Sequence, residues 1–171
     1  ELPDSVDSSV EFVYPQTLRA SLTHALSSRL TLLTSVAWEE WSAFEDIAIS
    51  TPAGTDKLRR DWDDTWHYAL GLRWKPEPRW TYYTGVAYDT DPTQASDRTT
   101  DQPIDEQWRE SAGFPYTREN GHKLGGAGTY ADYGDAAISN GGSRPGTGNP
   151  WTVDGDYSSN RLVFIGLSYG W

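Results

Sequence analysis

Apolar residues recur at every second position in several stretches of this chain, most clearly within residues 62–92. Trp66, Tyr68, Leu70, Leu72 and Trp74 alternate with His67, Ala69, Gly71 and Arg73. After a break at Lys75, Pro76, Glu77 and Pro78, the row resumes as Trp80, Tyr82, Thr84, Val86 and Tyr88. Successive side chains of a strand point to opposite faces, so period two predicts two strands and a hairpin turned at 75–78. Upstream, Leu18, Ala20, Leu22 and Leu26 form one row and Leu30, Leu32, Val36 and Trp38 another, with a tight turn at Ser27 and Ser28. Before them, Val10, Phe12 and Tyr14 begin an alternation of their own. Residues 107–116 and 122–133 predict weaker strands, because Pro115 interrupts a ladder and Gly125, Gly126 and Gly128 weaken one. The chain closes on Val163, Ile165, Leu167, Tyr169 and Trp171.

The connections alternate in length. The turns at 27–28, 75–78 and 117–121 are short, whereas the polar stretches near 42–60, 90–106 and 134–158 are long. Strands that cross a membrane to alternate sides produce this rhythm, with brief periplasmic turns and longer extracellular loops. The two rows of 62–92 also begin and end in aromatics, as an apolar band bounded by two interfacial belts requires. With a periplasmic C-terminus, Trp74, Trp80, Tyr169 and Trp171 fall at one interface. Trp38, Trp41, Trp62, Trp66, Tyr88 and Trp108 fall near the other. The pattern predicts an all-β chain: an antiparallel transmembrane β-barrel portion of about seven strands, with short periplasmic turns and long extracellular loops. A soluble β-sandwich shares the period but accounts neither for aromatics at the row ends nor for alternating loop lengths.

Composition changes this picture in four ways. The net charge of -11 and mean hydropathy of -0.68 hide the membrane character, and no run approaches the ~20 apolar residues of a spanning helix. Barrel strands dilute their lipid-facing residues with polar ones, so that absence is compatible with a barrel. Nine Trp and ten Tyr in so hydrophilic a chain fit interfacial belts. The absence of Cys excludes disulfides and thiolate metal sites. The acidic balance argues against nucleic acid as a partner, since a binding groove needs clustered Lys and Arg.

The sequence resembles the outer-membrane long-chain fatty acid transporters of the FadL type, whose relatives import aromatic hydrocarbons. The residues that carry the likeness are Pro15-Gln16-Thr17-Leu18, Trp41-Ser42-Ala43-Phe44, residues 62–71, Trp80-Thr81 with Thr84-Gly85, and residues 87–92. Arg98, Pro103, Asp105, Trp108 and Ala112-Gly113 follow in order. The end, with Gly166, Leu167, Tyr169 and Trp171, is similar to the signal that barrel-assembly machinery recognises. The family's barrel has about twice the strands this chain supplies, together with an N-terminal plug. The resemblance therefore implies the C-terminal half of a barrel, residues 1–171 forming one domain that is a fragment. An open sheet in lipid leaves two edges of unpaired N–H and C=O groups, at several kcal/mol each. A missing N-terminal half or another subunit is expected to close it.

The resemblance also implies passive diffusion of long-chain fatty acids or other hydrophobic compounds through a lumen, in the outer membrane of a Gram-negative bacterium. Outer-membrane lipid and lipopolysaccharide are then the surroundings. In the family a basic residue just before the strand at 65–74 contacts the ligand head group. By parity Arg59 is the candidate, with Lys57 and Arg60 as near alternatives. The competing reading is that these bases are solvated loop charges paired with Asp61, Asp63 or Asp64. If even-numbered residues of 62–92 face lipid, His67 and Tyr83 face inward. In the last strand Leu162 and Phe164 face the lumen as candidates to line an acyl pocket, with packing against neighbouring lumen residues the equal alternative for Phe164. No catalytic group, cofactor or metal is expected: His24, His67 and His122 lack ligand spacing, and nothing marks Ser111 as a nucleophile beside His122. Asp89-Thr90-Asp91 lacks the further ligands and glycine of a calcium loop. A second reading makes the chain a structural or docking barrel protein whose acidic loops meet a partner.

Overall fold

The computed structural model describes residues 9–11, 13–44, 46–52, 54–143 and 150–171. Seven strands make the main sheet: β2 (Thr17–Ala25), β3 (Leu30–Glu39), β6 (Thr65–Glu77), β7 (Trp80–Asp89), β8 (Gln107–Thr117), β9 (Lys123–Asp132) and β12 (Arg161–Gly170). Every adjacent pair is antiparallel and joins strands consecutive in the sheet, giving a meander with β2 and β12 as its edges. Strands of 9–13 residues suit a tilted membrane crossing, which takes ~9–11. Residues 26–29, 78–79 and 118–122 turn the chain tightly at one end, and the long connections all lie at the other.

Two of the long connections are not the open loops that their polarity predicts. β4 (Asp46–Thr51) and β5 (Gly54–Arg59) form a hairpin joined by β1 (Ser9–Glu11), so Val10 opens no strand of the main sheet. β10 (Ala136–Ser143) and β11 (Pro150–Tyr157) form another hairpin. Their polar residues conceal strands because these sheets stand in water and need only a short apolar row, Ala136 and Ile138 in β10. Phe12 lies outside the described residues, as do 144–149.

Pro76, expected in a turn, and Pro115, expected to interrupt a strand, both lie within strands. Pro76 falls inside β6, where the register with β7 shifts between Trp74 and Glu77, so the turn is at Pro78 and Arg79 instead of over 75–78. Pro115 sits in β8 at a gap in the pairing with β7, between Tyr83↔Gly113 and Trp80↔Tyr116, where no N–H is needed.

The main sheet has no second layer. Among the described residues the fully buried apolar side chains are Ala37, Ala131, Ala136 and Ile138, too small a set for a soluble core. Large apolar residues are exposed instead, Ile165 at 82% and Leu167 at 88%. The packed sandwich is thereby excluded, and the apolar face belongs against lipid.

Registers fix which residues share that face. Tyr68 opposes Val36 and Tyr88, Leu70 opposes Thr34 and Val86, and Trp74 opposes Leu30 and Tyr82. At the turn end Trp80 lies 4.4 Å from Tyr116 and 5.7 Å from Phe114, and Trp74 5.6 Å from Tyr82. At the long-loop end Tyr88 meets Trp108 at 4.6 Å and Trp66 stacks on Tyr68 at 6.2 Å. Two aromatic belts result. Trp41 and Trp62 belong to neither: they leave the outer row and pack on each other at 5.1 Å and on Phe44. The chain after β3 enters a short 3-10 turn, Trp41–Ala43, which swings Trp41 over the mouth of the opposite face.

Candidate functional site

The opposite face carries the odd-numbered residues of β6 and β7, and in-register partners extend it across the sheet. One row runs Leu33, Gly71, Gly85, Ser111, Thr129 and Phe164. The next, toward the long loops, runs Ser35, Ala69, Ala87, Arg109, Ala131 and Leu162. Glycine, alanine and hydroxyl residues predominate, so the sheet backbone itself is accessible. A cavity of about 460 Å³ on this face is lined by residues of six strands, from Ser21 in β2 to Thr129 in β9, so the face is concave. Another, of about 510 Å³, continues from Gly85 and Ser111 toward Gly113, Ala127 and Gly166.

Glycine has a steric role where the strands are closest. A Cβ on Gly85 would stand 3.0 Å from the Leu70 carbonyl oxygen and 3.3 Å from Gly71 Cα. The Gly71–Gly85 pair thus sets a floor with no side chains at the middle of the concave face.

Above this apolar slot the face turns polar. A cavity of about 440 Å³ is lined by Arg19, Glu39, His67, Asp89, Gln102 and Arg109, with Trp41 and Trp62 at its edge. His67 and Asp89 are opposite each other in the ladder, and His67 Nδ1 lies 2.8 Å from Asp89 Oδ1. The other carboxylate oxygen, Oδ2, accepts from Arg109 Nη2, whose nitrogen is 3.4 Å from His67 Nδ1. Trp41 Nε1 donates to Glu39 Oε2 at 3.0 Å, and Arg19 lies 3.9 Å from Glu39 Oε1. Acidic and basic groups alternate, so the lining is nearly neutral as well as hydrated.

Two arginines assemble the long-loop end over this cavity. Arg98, 2% exposed, donates from Nε to the Ile104 carbonyl (2.9 Å) and from Nη1 to the Ala137 carbonyl (2.5 Å). Its Nη2 serves Asp91 Oδ2 and the Thr93 carbonyl, both at 2.8 Å. Burial pushes the Asp91 carboxyl up, against the pull of the Thr93 amide and Arg98. Arg60, 6% exposed, grips Asp101 with both terminal nitrogens at 3.3 and 2.9 Å and also reaches Thr99. The Arg60 guanidinium, helped by the Thr99 hydroxyl, holds Asp101 down to about 2. Asn140 donates to the Arg98 carbonyl and Asn160 to that of Pro103, so residues 90–106 and the β10–β11 hairpin form one cap.

The sequence candidates are distributed along this face instead of gathered at a point. His67 lies in the polar cavity. Tyr83 opposes Arg73 and Gly113, six residues from Asp89 along β7 and so ~20 Å below it. Leu162 and Phe164 occupy the two rows given above, on the edge strand. Arg59 pairs through its backbone with Asp46 in the β4–β5 hairpin; its side chain lies outside the described residues, as does that of Lys57. Arg60 is a structural clamp and pairs with Asp101, not with the neighbouring aspartates. Ser111 bonds Thr129 and His122 bonds the Tyr169 hydroxyl, so they form no catalytic pair. Asp89 and Asp91 are engaged by different arginines, and among the described residues no His, Cys, Asp or Glu cluster could hold a metal. Arg109 was missed because its neighbour Glu110 blurred the alternation. Counting outward from Ser111 and Gly113 would have placed it inside.

Comparison with known proteins places this architecture. The family model described as outer membrane protein transport protein (OMPP1/FadL/TodX) matches residues 3–168. A long-chain fatty acid transport protein of Salmonella typhi is 30% identical over 84 residues, 48% of this chain and 19% of that protein. The Escherichia coli K12 protein of the same name is 29% identical over the same shares. The crystal structure of a Pseudomonas aeruginosa FadL homologue superposes with a TM-score of 0.83 at 25% identity, covering 95% of this chain and 36% of that one. The chain thus spans about a third of the solved relative, and the alignments with curated relatives cover about a fifth of theirs. The open antiparallel sheet with its aromatic belts is part of an outer-membrane β-barrel, and the chain belongs to the outer membrane protein transport protein family (OMPP1/FadL/TodX).

Proposed function

We propose that this chain is the C-terminal half of a barrel through which long-chain fatty acids or other hydrophobic compounds diffuse passively across the outer membrane of a Gram-negative bacterium. The observation that carries the reading is the concave slot of two adjoining cavities, floored by Gly71, Gly85 and Gly113 and bordered by a charged cavity. A hydrophobic molecule needs such a path between two polar ends, because each alternative route exposes it to water. The names of the curated relatives support the substrate class. Within this reading Arg59 meets the head group at entry, and His67, Tyr83, Leu162 and Phe164 line the route. An N-terminal half or second subunit pairs with the free edges of β2 and β12. β12 with its terminal Trp171 is the segment read by the assembly machinery, and lipid with lipopolysaccharide covers the outer face.

Uptake of a labelled long-chain fatty acid by cells that depend on the full-length barrel tests this. Uptake no higher than in cells lacking the barrel would end the transport reading. The cap of interlocked acidic loops favours the other reading, a docking or structural protein, for which no uptake is expected.

A further inference from the structure

Arg109 is the residue that the transport reading leaves unexplained. It lines both the polar cavity of about 440 Å³ and the apolar one of about 460 Å³, and so stands at their boundary. Its side chain is 35% exposed, more than those of Asp89 (21%) and His67 (16%). Its contacts with Asp89 and His67 are both made through Nη2, which engages one edge of the guanidinium. A guanidinium presents five donors in a planar fork, matched to the two oxygens of a carboxylate. An alkyl chain attached to such a carboxylate would lie over Ala87, Gly85 and Ser111 toward Thr129, whose in-register neighbour is Phe164.

We infer that Arg109 is a carboxylate station inside the barrel, distinct from any base in the β4–β5 hairpin, with Asp89 and His67 as its exchange partners. In the empty barrel Asp89 occupies one edge of the guanidinium. When a long-chain carboxylate takes that edge, Asp89 keeps its contact with His67, so each acid retains a hydrogen-bond partner. The relay lets the ligand be bound and released with no acid left without a hydrogen-bond partner, a state that would be costly inside the barrel. The same arrangement discriminates: an ester or hydrocarbon of equal length cannot displace Asp89 and gains nothing from Arg109.

The inference rests on the transport reading, and the experiment separates the two. The full-length barrel is reconstituted into phospholipid vesicles, and uptake of a long-chain carboxylate is compared with that of its methyl ester. Arg109→Gln is expected to lower carboxylate uptake about tenfold while leaving ester uptake unchanged, the loss of one charge-assisted hydrogen-bonded contact. Arg109→Lys should recover part of the difference. Asp89→Asn should strengthen carboxylate binding, the opposite of what a purely structural ion pair would give. An unchanged carboxylate-to-ester ratio in Arg109→Gln, or equal loss of both probes, overturns the assignment. If the unaltered barrel takes up neither probe, the transport reading fails. Equilibrium dialysis of the carboxylate against the Arg109→Gln barrel then still decides the station by the presence or absence of the affinity change.

Discussion

In the seven-stranded sheet, neighbouring side chains contribute little to one another, whereas in the cap two side chains hold much of the chain around them. The sheet owes its form to backbone ladders and to the lipid that covers its outer face. Replacing one outer apolar residue by another leaves both unchanged. The cap stands in water, where ladders are short and the buried apolar side chains among the described residues are Ala136 and Ile138, and its order is concentrated at Arg98 and Arg60. The first arrangement is distributed and tolerant, the second local and fragile. A transporter can use both: a wall that keeps its shape and a mouth whose shape can be set by few contacts.

The largest effect should come from Arg98→Ala. Four hydrogen bonds and the partner of half-buried Asp91 are lost together, at a cost of about 3–5 kcal/mol to the cap. Amide hydrogen exchange should rise through 90–106 and 136–143 while β6–β9 stay protected in the bilayer-embedded barrel. Equal loss of protection in the sheet would break the contrast. Gly85→Val probes the other side. Its Cβ would collide with the Leu70 carbonyl, and the added bulk fills the slot, for about 1–3 kcal/mol of strain. Uptake should fall with the cap still protected; full uptake would show that the slot is not the route.

These two positions also show what was legible in the sequence. Alternation revealed the seven spanning strands with their short turns, down to β8 and β9, because lipid on one face enforces period two on every strand it touches. It could not reveal β4, β5, β10 and β11, which touch no lipid. Nor did it reveal that Trp41 and Trp62 turn inward, since a 3-10 turn leaves no periodic trace. Of the candidate site, parity placed His67, Tyr83, Leu162 and Phe164 on the concave face. Arg60 reads as a head-group base or a loop charge because its partner Asp101 lies roughly 40 residues away in sequence. Arg98, named only through the resemblance, ties the cap together through an equally distant partner, Ala137, beside the local Asp91, Thr93 and Ile104. Partners so distant carry no local signal.

Acid should act on the cap before the sheet. The folded Asp101 carboxyl, at about 2, lies below its ordinary 3.8, so its contribution is complete above 3.8 and is lost as pH falls toward 2. Its side chain is 59% exposed, which limits the effect to about 1 kcal/mol after screening. Asp101→Asn should abolish this acid sensitivity in exchange measured at 99–101. Asp91, pushed up by burial, works in the opposite sense, so the two acids can be separated by their signs.

The smallest effect concerns Glu110, an exposed acid opposite Val86 and Tyr130 on the lipid-facing side. Glu110→Leu should stabilise the barrel in urea unfolding from vesicles by up to about 1 kcal/mol, because the carboxylate lies close to the Trp108 belt. A loss of stability would mean that this position meets protein instead of lipid.

The two hairpins of the cap have a consequence for how the sheet is made. β2–β3, β6–β7 and β8–β9 are closed by short turns and can pair as soon as their residues emerge, but β9 must find β12 across residues 133–160. Closing a loop costs more entropy the longer it is, and pairing delayed by such a search is slow. Once β10 and β11 have zipped together, the ends of that connection are drawn in at Ala136 and Tyr157, which oppose each other in the ladder. What looks like decoration above the membrane is therefore also a tether, shortening the search that brings the last strand to its neighbour.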